Sequence, residues 1–384
     1  MSAEVGGTAA TAFAQLTGHP PEGVWCAPGR VNIVGEHTDY NEGWALPFAV
    51  DRRVTAAAGR RGDGWLRIAS LQRGGTFARP LADVRPGALR GWAAYSAGPV
   101  WALLDAGVRI TGLDVVLGSD LPTESGLASS AAVECAVLLA TRDLFGGPDD
   151  PAALAALAQR AETQMAGVPC GIMDQMASMT CVTGHALLLD ARSGAVEQVP
   201  FAPQRAGLAL LVMDTRTERP LAHGEYAARR QSCAEAARAL GVPALREVGA
   251  AEVEAARDRL GDPGYRRARH VSSENRRVLE VAGHLRSGHP ERVGAALTAS
   301  HVSLRDDYDV STPALDTAVD AALAAGALGA RMTGAGFGGC AIALVPAAAV
   351  EAVGDAVRRA GAAKGLPAPD VFPVRPSDGA RRVA

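Results

Sequence analysis

The run Gly334-Ala335-Gly336-Phe337-Gly338-Gly339 spells G-x-G-x-x-G, which marks a dinucleotide-binding βαβ unit only when a strand precedes it and a helix follows. Here the flanks are wrong for that unit. Residues 341–345 are apolar and read as a strand, and the Ala/Gly stretch before the glycines does not read as one. The pattern therefore argues against a Rossmann sheet. The glycines are expected to form a tight loop that lets backbone approach a ligand or another loop.

The rest of the chain alternates strand-like and helix-like runs. Residues 31–34, 114–117, 186–189 and 208–213 read as strands, and residues 128–144 as an alanine-rich helix. Asp149-Asp150-Pro151 starts another helix, with an acidic cap and proline in the first turn. Leu154, Leu157, Ala158, Ala161 and Met165 follow at helical spacing. Pro169-Cys170-Gly171 breaks that helix, and a further one begins at Ile172. Charged helices are expected near 225–240 and 273–285. This alternation argues α+β or α/β. At 384 residues the chain has room for two domains, and residues 201–207, with Pro203, form the candidate link between 1–205 and 206–384.

Charge narrows the function. With 38 basic and 41 acidic residues the net charge is −3, so neither nucleic acid nor an anionic membrane is an expected partner. No apolar run approaches the ~18 residues of a membrane span, and the start lacks the basic and apolar regions of a signal peptide. Six cysteines without a C-x-x-C pair point to reduced thiols and a cytoplasmic location. Of the basic residues only Lys364 is a lysine, in neither a Walker A nor a protein-kinase context. A phosphate ligand would have to be met by backbone N–H groups, Mg²⁺ and arginine.

Three constellations carry chemistry. In Gly29-Arg30-Val31-Asn32-Ile33-Val34-Gly35-Glu36-His37-Thr38-Asp39-Tyr40, a short strand delivers Arg30 at its start and Glu36, His37 and Asp39 just beyond its end. Such a set suits a neutral sugar, because carboxylates accept hydroxyl protons in charge-assisted bonds. In Leu121-Pro122-Thr123-Glu124-Ser125-Gly126-Leu127-Ala128-Ser129-Ser130, small residues precede a helix whose first N–H groups are unpaired. Phosphate could approach that backbone, and the hydroxyl of Ser129 or Ser130 could reach Mg²⁺; the same pattern also serves as a simple cap. The third is a pair of acids. Glu162 sits at the edge of the apolar stripe of its helix, a position that favours a surface charge. Asp174, among Met173, Met176 and Met179, has the apolar surroundings of a working carboxylate.

In this order the motifs resemble the galactokinase family of the GHMP superfamily, with residues 29–40 similar to its sugar signature, 126–131 to its phosphate motif and 332–340 to its third motif. The likeness continues through Pro169–Gln175, Leu188-Leu189-Asp190-Ala191-Arg192-Ser193 and Ser303-Leu304-Arg305-Asp306-Asp307-Tyr308, covering roughly residues 22–375. It implies an α+β fold of two domains, the N-terminal one like ribosomal protein S5 domain 2 and the C-terminal one ferredoxin-like, with the site between them. It implies that Glu36, His37, Thr38 and Asp39 contact galactose, with Tyr226 adding a contact. Asp174 would be the catalytic carboxylate, Arg30 its partner, and Ser130 and Glu162 the Mg²⁺ ligands. Glu124, Ser125, Gly126, Leu127, Ala128, Ser129 and Ser130 would cradle the phosphates of ATP, with Ser70 and Tyr95 on the nucleotide side. Ala128 departs from the third serine of many members. A monomer is expected. Rival readings are a related kinase acting on N-acetylgalactosamine, arabinose or mevalonate, and a non-catalytic galactose and ATP sensor.

Overall fold

The computed structural model describes residues 2–122, 126–217 and 222–384. Its largest sheet runs Arg381–Arg382, Gly23–Asn32, Pro47–Arg60, Leu113–Ser119, Trp65–Ser70, Gly75–Pro80. One pair is parallel, with Ile68 opposite Val115, and its connection passes through the helix Trp92–Asp105, the kind of crossover a parallel pair requires. Alternation along Pro47–Arg60 explains how this sheet is covered. Val54, Ala56 and Ala58 face the main core, whereas Ala57 joins Phe13 and Val116 beneath the helix Ser2–Thr17. The helix Ser129–Phe145 packs on the core face.

A second sheet has the order Gly329–Met332, Cys340–Pro346, Leu208–Asp214, Asp370–Val374, antiparallel throughout. Its strands come in pairs around helices in the βαββαβ order of a ferredoxin-like unit. The long connection after its first strand carries Ala222–Leu240, Arg257–Arg286, Val293–Asp306 and Pro313–Ala324. A small third sheet joins Trp44–Ala45, His185–Asp190 and Val196–Pro200.

Two local readings change. The strand expected over 31–34 is Gly23–Asn32, so Arg30 lies near its end rather than at its start. Pro28 and Gly29 hide this strand in the sequence, because they sit at an irregularity in its pairing with Pro47–Arg60. A strand, Gly329–Met332, also precedes the glycine run, fully buried and paired with Cys340–Pro346. The glycines thus connect a hairpin, and the case against a Rossmann unit rests on the strand that follows. The expected link at 201–207 contains the turn Pro203–Ala206, while Arg381–Arg382 crosses back to pair beside Trp25 and Cys26.

The two sheets are tied together by a buried ion cluster. Arg331 is 0% exposed; it donates to Ile33 O at 3.0 Å and lies 3.0 Å from Glu36 Oε1. Its other side approaches Glu274, also 0% exposed, at 4.0 Å. Glu274 accepts from Gly35 N at 2.8 Å, from Ser300 Oγ at 2.7 Å, and from Arg277. Burial alone would raise the Glu274 carboxyl; Arg277, His270 and Arg331 outweigh it and bring it to about 2. Removing this cation leaves the buried Glu36 carboxylate without its paired charge and takes one of two arginines from Glu274. Arg331→Met is therefore expected to cost about 3–5 kcal/mol, read as a lowered denaturation midpoint; an unchanged midpoint would show that the cluster does not hold the halves together.

Candidate active site

A cavity of about 730 Å³ opens where the three sequence motifs converge. Arg30 joins two of them by donating its backbone N–H to Leu127 O at 3.0 Å and Nη1–H to Gly126 O at 2.6 Å. Glu36 brings in the third by accepting from Gly334 N at 2.6 Å and Thr333 Oγ1 at 3.0 Å. Gly334 has φ +84°, and a Cβ there would lie 3.1 Å from Gly126 O. Glycine thus lets the hairpin loop lie against the phosphate-type loop.

At the centre Arg30 clasps Asp174 from two nitrogens, Nε to Oδ1 at 2.8 Å and Nη2 to Oδ2 at 2.9 Å. Arg30 is buried, whereas the Asp174 side chain keeps 30% of its surface open to the cavity. A planar fork of this kind fixes the carboxylate's orientation. The acid occupies the first turn of Met173–Thr180, a helix whose Met173 and Met176 are buried.

On one side lie Glu36, His37, Asp39, Tyr40 and Tyr226. Asp39 accepts from Tyr40 N at 2.9 Å, and a Cβ on Gly171 would fall 1.6 Å from its Oδ2, so glycine is required where the 171–173 turn passes. Thr38 is placed elsewhere. It is fully buried, and its hydroxyl lies within bonding distance of Gly35 O and Trp44 O, at 2.8 and 2.7 Å, behind the cavity wall. That hydroxyl braces the turn and does not face the cavity.

On the other side Gly126, Ala128, Ser129 and Ser130 line the cavity at the start of Ser129–Phe145. Among the described residues no side chain caps that helix, whose positive end is directed at the cavity. Leu127 turns inward to the core, and Glu124 and Ser125 lie outside the described residues. Ser70 and Tyr95 line the far end with Gln72, Arg73 and Trp92.

Glu162 departs most from its expected surface position. It opens a π-turn, Glu162–Ala166, and is only 6% exposed, because its helix packs against Trp92–Asp105, Ser129–Phe145 and Met173–Thr180. It accepts from Gln175 Nε2 at 2.6 Å, and the same amide lies 3.4 Å from Glu134, a fully buried acid. Burial, then the charge of Asp174, pushes the Glu162 carboxyl up to about 7. The hydroxyl of Ser130 and this carboxylate are hard oxygen donors beside an excess of acids, a set that fits Mg²⁺.

Sequence reasoning missed four residues. Trp92 stands three positions before Tyr95, on one helical face, a signal within reach. Glu134 and Gln175 look like ordinary helix polar positions until neighbouring helices enclose them. Arg331 reads as one arginine among many, and only the fold reveals its burial.

Three family models match in chain order: the galactokinase galactose-binding signature over residues 11–60, the GHMP kinases N-terminal domain over 94–181, and the GHMP kinases C-terminal domain over 281–363. The chain is 50% identical to the galactokinase of Streptomyces coelicolor over 389 residues, covering 100% of both. The chain belongs to the galactokinase family. Human galactokinase is 42% identical over 356 residues, 90% of each chain. The crystal structure of Lactococcus lactis galactokinase complexed with galactose superimposes with a TM-score of 0.92 at 33% identity, covering 97% of this chain and 98% of that one. Mevalonate kinase of Methanococcus jannaschii shares the fold, with a TM-score of 0.68 at 18% identity over 92% of this chain. The architecture is therefore the two-domain α+β fold of GHMP kinases, and galactokinase membership makes this an ATP-dependent sugar kinase.

The sugar-signature acid Asp39 carries a testable electrostatic cost. Burial, then the Asp174 charge, raises its carboxyl from 3.8 to about 6. A raised carboxyl favours the folded state when protonated, and that advantage disappears as pH rises through about 6. Asp39→Asn is thus expected to stabilise the chain at neutral pH by roughly 3 kcal/mol, from about two pH units at ~1.4 kcal/mol each. Melting curves of the two proteins should converge between about pH 6 and pH 4; a constant gap across that window would contradict the assignment.

Proposed function

We propose that this chain transfers the γ-phosphate of ATP to the anomeric hydroxyl of D-galactose, giving α-D-galactose 1-phosphate and ADP. The observation that carries this reading is the position of the Arg30–Asp174 pair. It stands between acids suited to sugar hydroxyls, Glu36 and Asp39, and the helix start at Ser129 suited to phosphate.

In this reading Asp39, Glu36 and Tyr226 hold the sugar, with Asp39 and Glu36 accepting its hydroxyl protons. Asp174 receives the proton of the anomeric hydroxyl as phosphoryl transfer proceeds. Arg30 holds the Asp174 carboxylate in place and supplies positive charge where negative charge gathers. The backbone N–H groups of residues 126–130 receive the phosphates, and Trp92, Tyr95 and Ser70 border the nucleotide end. Ser130 and Glu162 would hold Mg²⁺, which supplies charge neutralisation at the phosphates. Arginine and backbone thus replace the lysine that other kinase classes use. The six cysteines, none in a disulfide, five buried and Cys170 partly so, suit a reducing cytoplasm.

The direct test is turnover with galactose, N-acetylgalactosamine, arabinose and mevalonate as acceptors, followed by ADP release. Galactose is expected to dominate. No ADP release with any acceptor would leave the sensor reading in its place. Asp174→Asn, nearly the same shape, is expected to lower kcat by about 10²–10⁴ while galactose still binds; near-normal kcat in a folded variant would remove Asp174 as the base. Glu162→Gln should raise the Mg²⁺ needed for half-maximal rate by about 10–100-fold, with galactose KM little changed. An unaltered Mg²⁺ dependence would take Glu162 out of the metal site.

A further inference from the structure

Ser303–Tyr308 stands out in the sequence, yet the chemistry above gives it no role. The segment ends the helix Val293–Asp306, and the Tyr308 side chain is 0% exposed. Its ring packs between two imidazoles, with centroids 4.6 Å from His37 and 4.5 Å from His270. Its hydroxyl lies 2.8 Å from the Tyr40 hydroxyl and 3.0 Å from Cys233 Sγ. Tyr40 in turn is 2.8 Å from His37 Nδ1, and His37 Nε2 is 3.2 Å from Ala335 O in the glycine loop.

The protons in this chain of contacts have one consistent arrangement. A carbonyl oxygen only accepts, so His37 Nε2 must carry the hydrogen bonded to Ala335 O. Burial, first among the causes, holds the His37 imidazole well below its usual range, so the ring is neutral and Nδ1 is bare. Tyr40 therefore donates to Nδ1, and Tyr308 donates to Tyr40. The Tyr308 oxygen is then left to accept from the Cys233 thiol. Each bond polarises the next.

Two consequences follow. Both His37 ring nitrogens are committed, so the ring keeps no free nitrogen for a sugar hydroxyl. The His37 backbone, at φ +63°, lies in the left-handed region that costs a non-glycine residue and persists only where its surroundings fix it. A second clamp acts one residue earlier, where His270 Nε2 donates to Glu36 O at 3.1 Å.

We propose that Tyr308 is a positioning residue for galactose: its hydroxyl donates to Tyr40, whose own proton braces the His37 ring that Ala335 O keeps in the Nε2–H form, and this chain holds the Glu36–Asp39 loop in its sugar-binding shape. The inference rests on the reading that this loop binds galactose.

The experiment joins two measurements on the full chain. Long-range ¹H–¹⁵N spectra of histidine-labelled protein, with His37 identified by its loss in His37→Gln, report the tautomer. Galactose and ATP titrations of turnover report the two KM values. Wild type should show neutral His37 protonated on Nε2. Tyr308→Phe keeps the stacked ring and removes only the hydroxyl; it should leave His37 protonated on Nε2, where Ala335 O holds it, and raise galactose KM about tenfold, with ATP KM unchanged. A purely structural role would not split the two KM values. Tyr40→Phe cuts the next link and is the alternative should Tyr308→Phe not fold. Asp39→Ala runs beside them. Unchanged galactose affinity in Asp39→Ala would sink the loop reading itself. Loss there, with unchanged galactose KM in a folded Tyr308→Phe or Tyr40→Phe, would overturn the relay alone. Wild-type His37 protonated on Nδ1 would overturn it whatever the variants do.

Discussion

Arg331 is the constraint on which the rest depends. A guanidinium with no exposed surface must find its partners inside the protein, and here they come from both halves of the chain. Ile33 and Glu36 belong to the strand and loop that carry the sugar signature; Glu274 belongs to a helix of the ferredoxin-like half. The same contacts that neutralise the cation fix the position of Gly35 and Glu36 relative to the glycine hairpin. The active site is formed at a seam, and the seam is held by charges that can be satisfied only when both sides are in register.

What could be read beforehand depended on how local each signal was. The helix Pro151–Ala161 announces itself, because Asp150 accepts from Ala152 N and Ala153 N and proline follows at once. Its continuation does not. Glu162 lies at the edge of an apolar stripe, and nothing in the spacing shows that three other helices enclose it. Thr38 was legible as part of a motif, but its direction was not, since a turn can present its hydroxyl outward or spend it on its own carbonyls. Arg30 and Asp174, 144 positions apart, were linked by resemblance alone; only the fold brings the fork and the carboxylate to 2.8 Å. The strand Gly23–Asn32 was shortened in the reading by Pro28 and Gly29, residues that normally end strands but here occupy an irregular step.

The cavity also shows a division between what folds the chain and what the site demands. Glu274 sits amid cations, and its depressed carboxyl makes its charge stabilising. Asp39 and Glu162 are acids without such compensation, raised to about 6 and about 7. Apolar side chains in their places would suit the fold better. Their retention makes sense if the missing partners arrive with the ligands, hydroxyl groups in one case and a cation in the other.

The returning strand Arg381–Arg382 has a consequence for assembly. Arg381 and Arg382 pair with Cys26 and Trp25, on the open edge of the strand that bears Arg30. Until that segment arrives, this edge presents unpaired N–H and C=O groups to any passing strand. The first sheet therefore cannot close when its own sequence is finished. It stays open through the synthesis of the whole second half. The order of folding is circular, and the strand that bears Arg30 is among the last to be sealed.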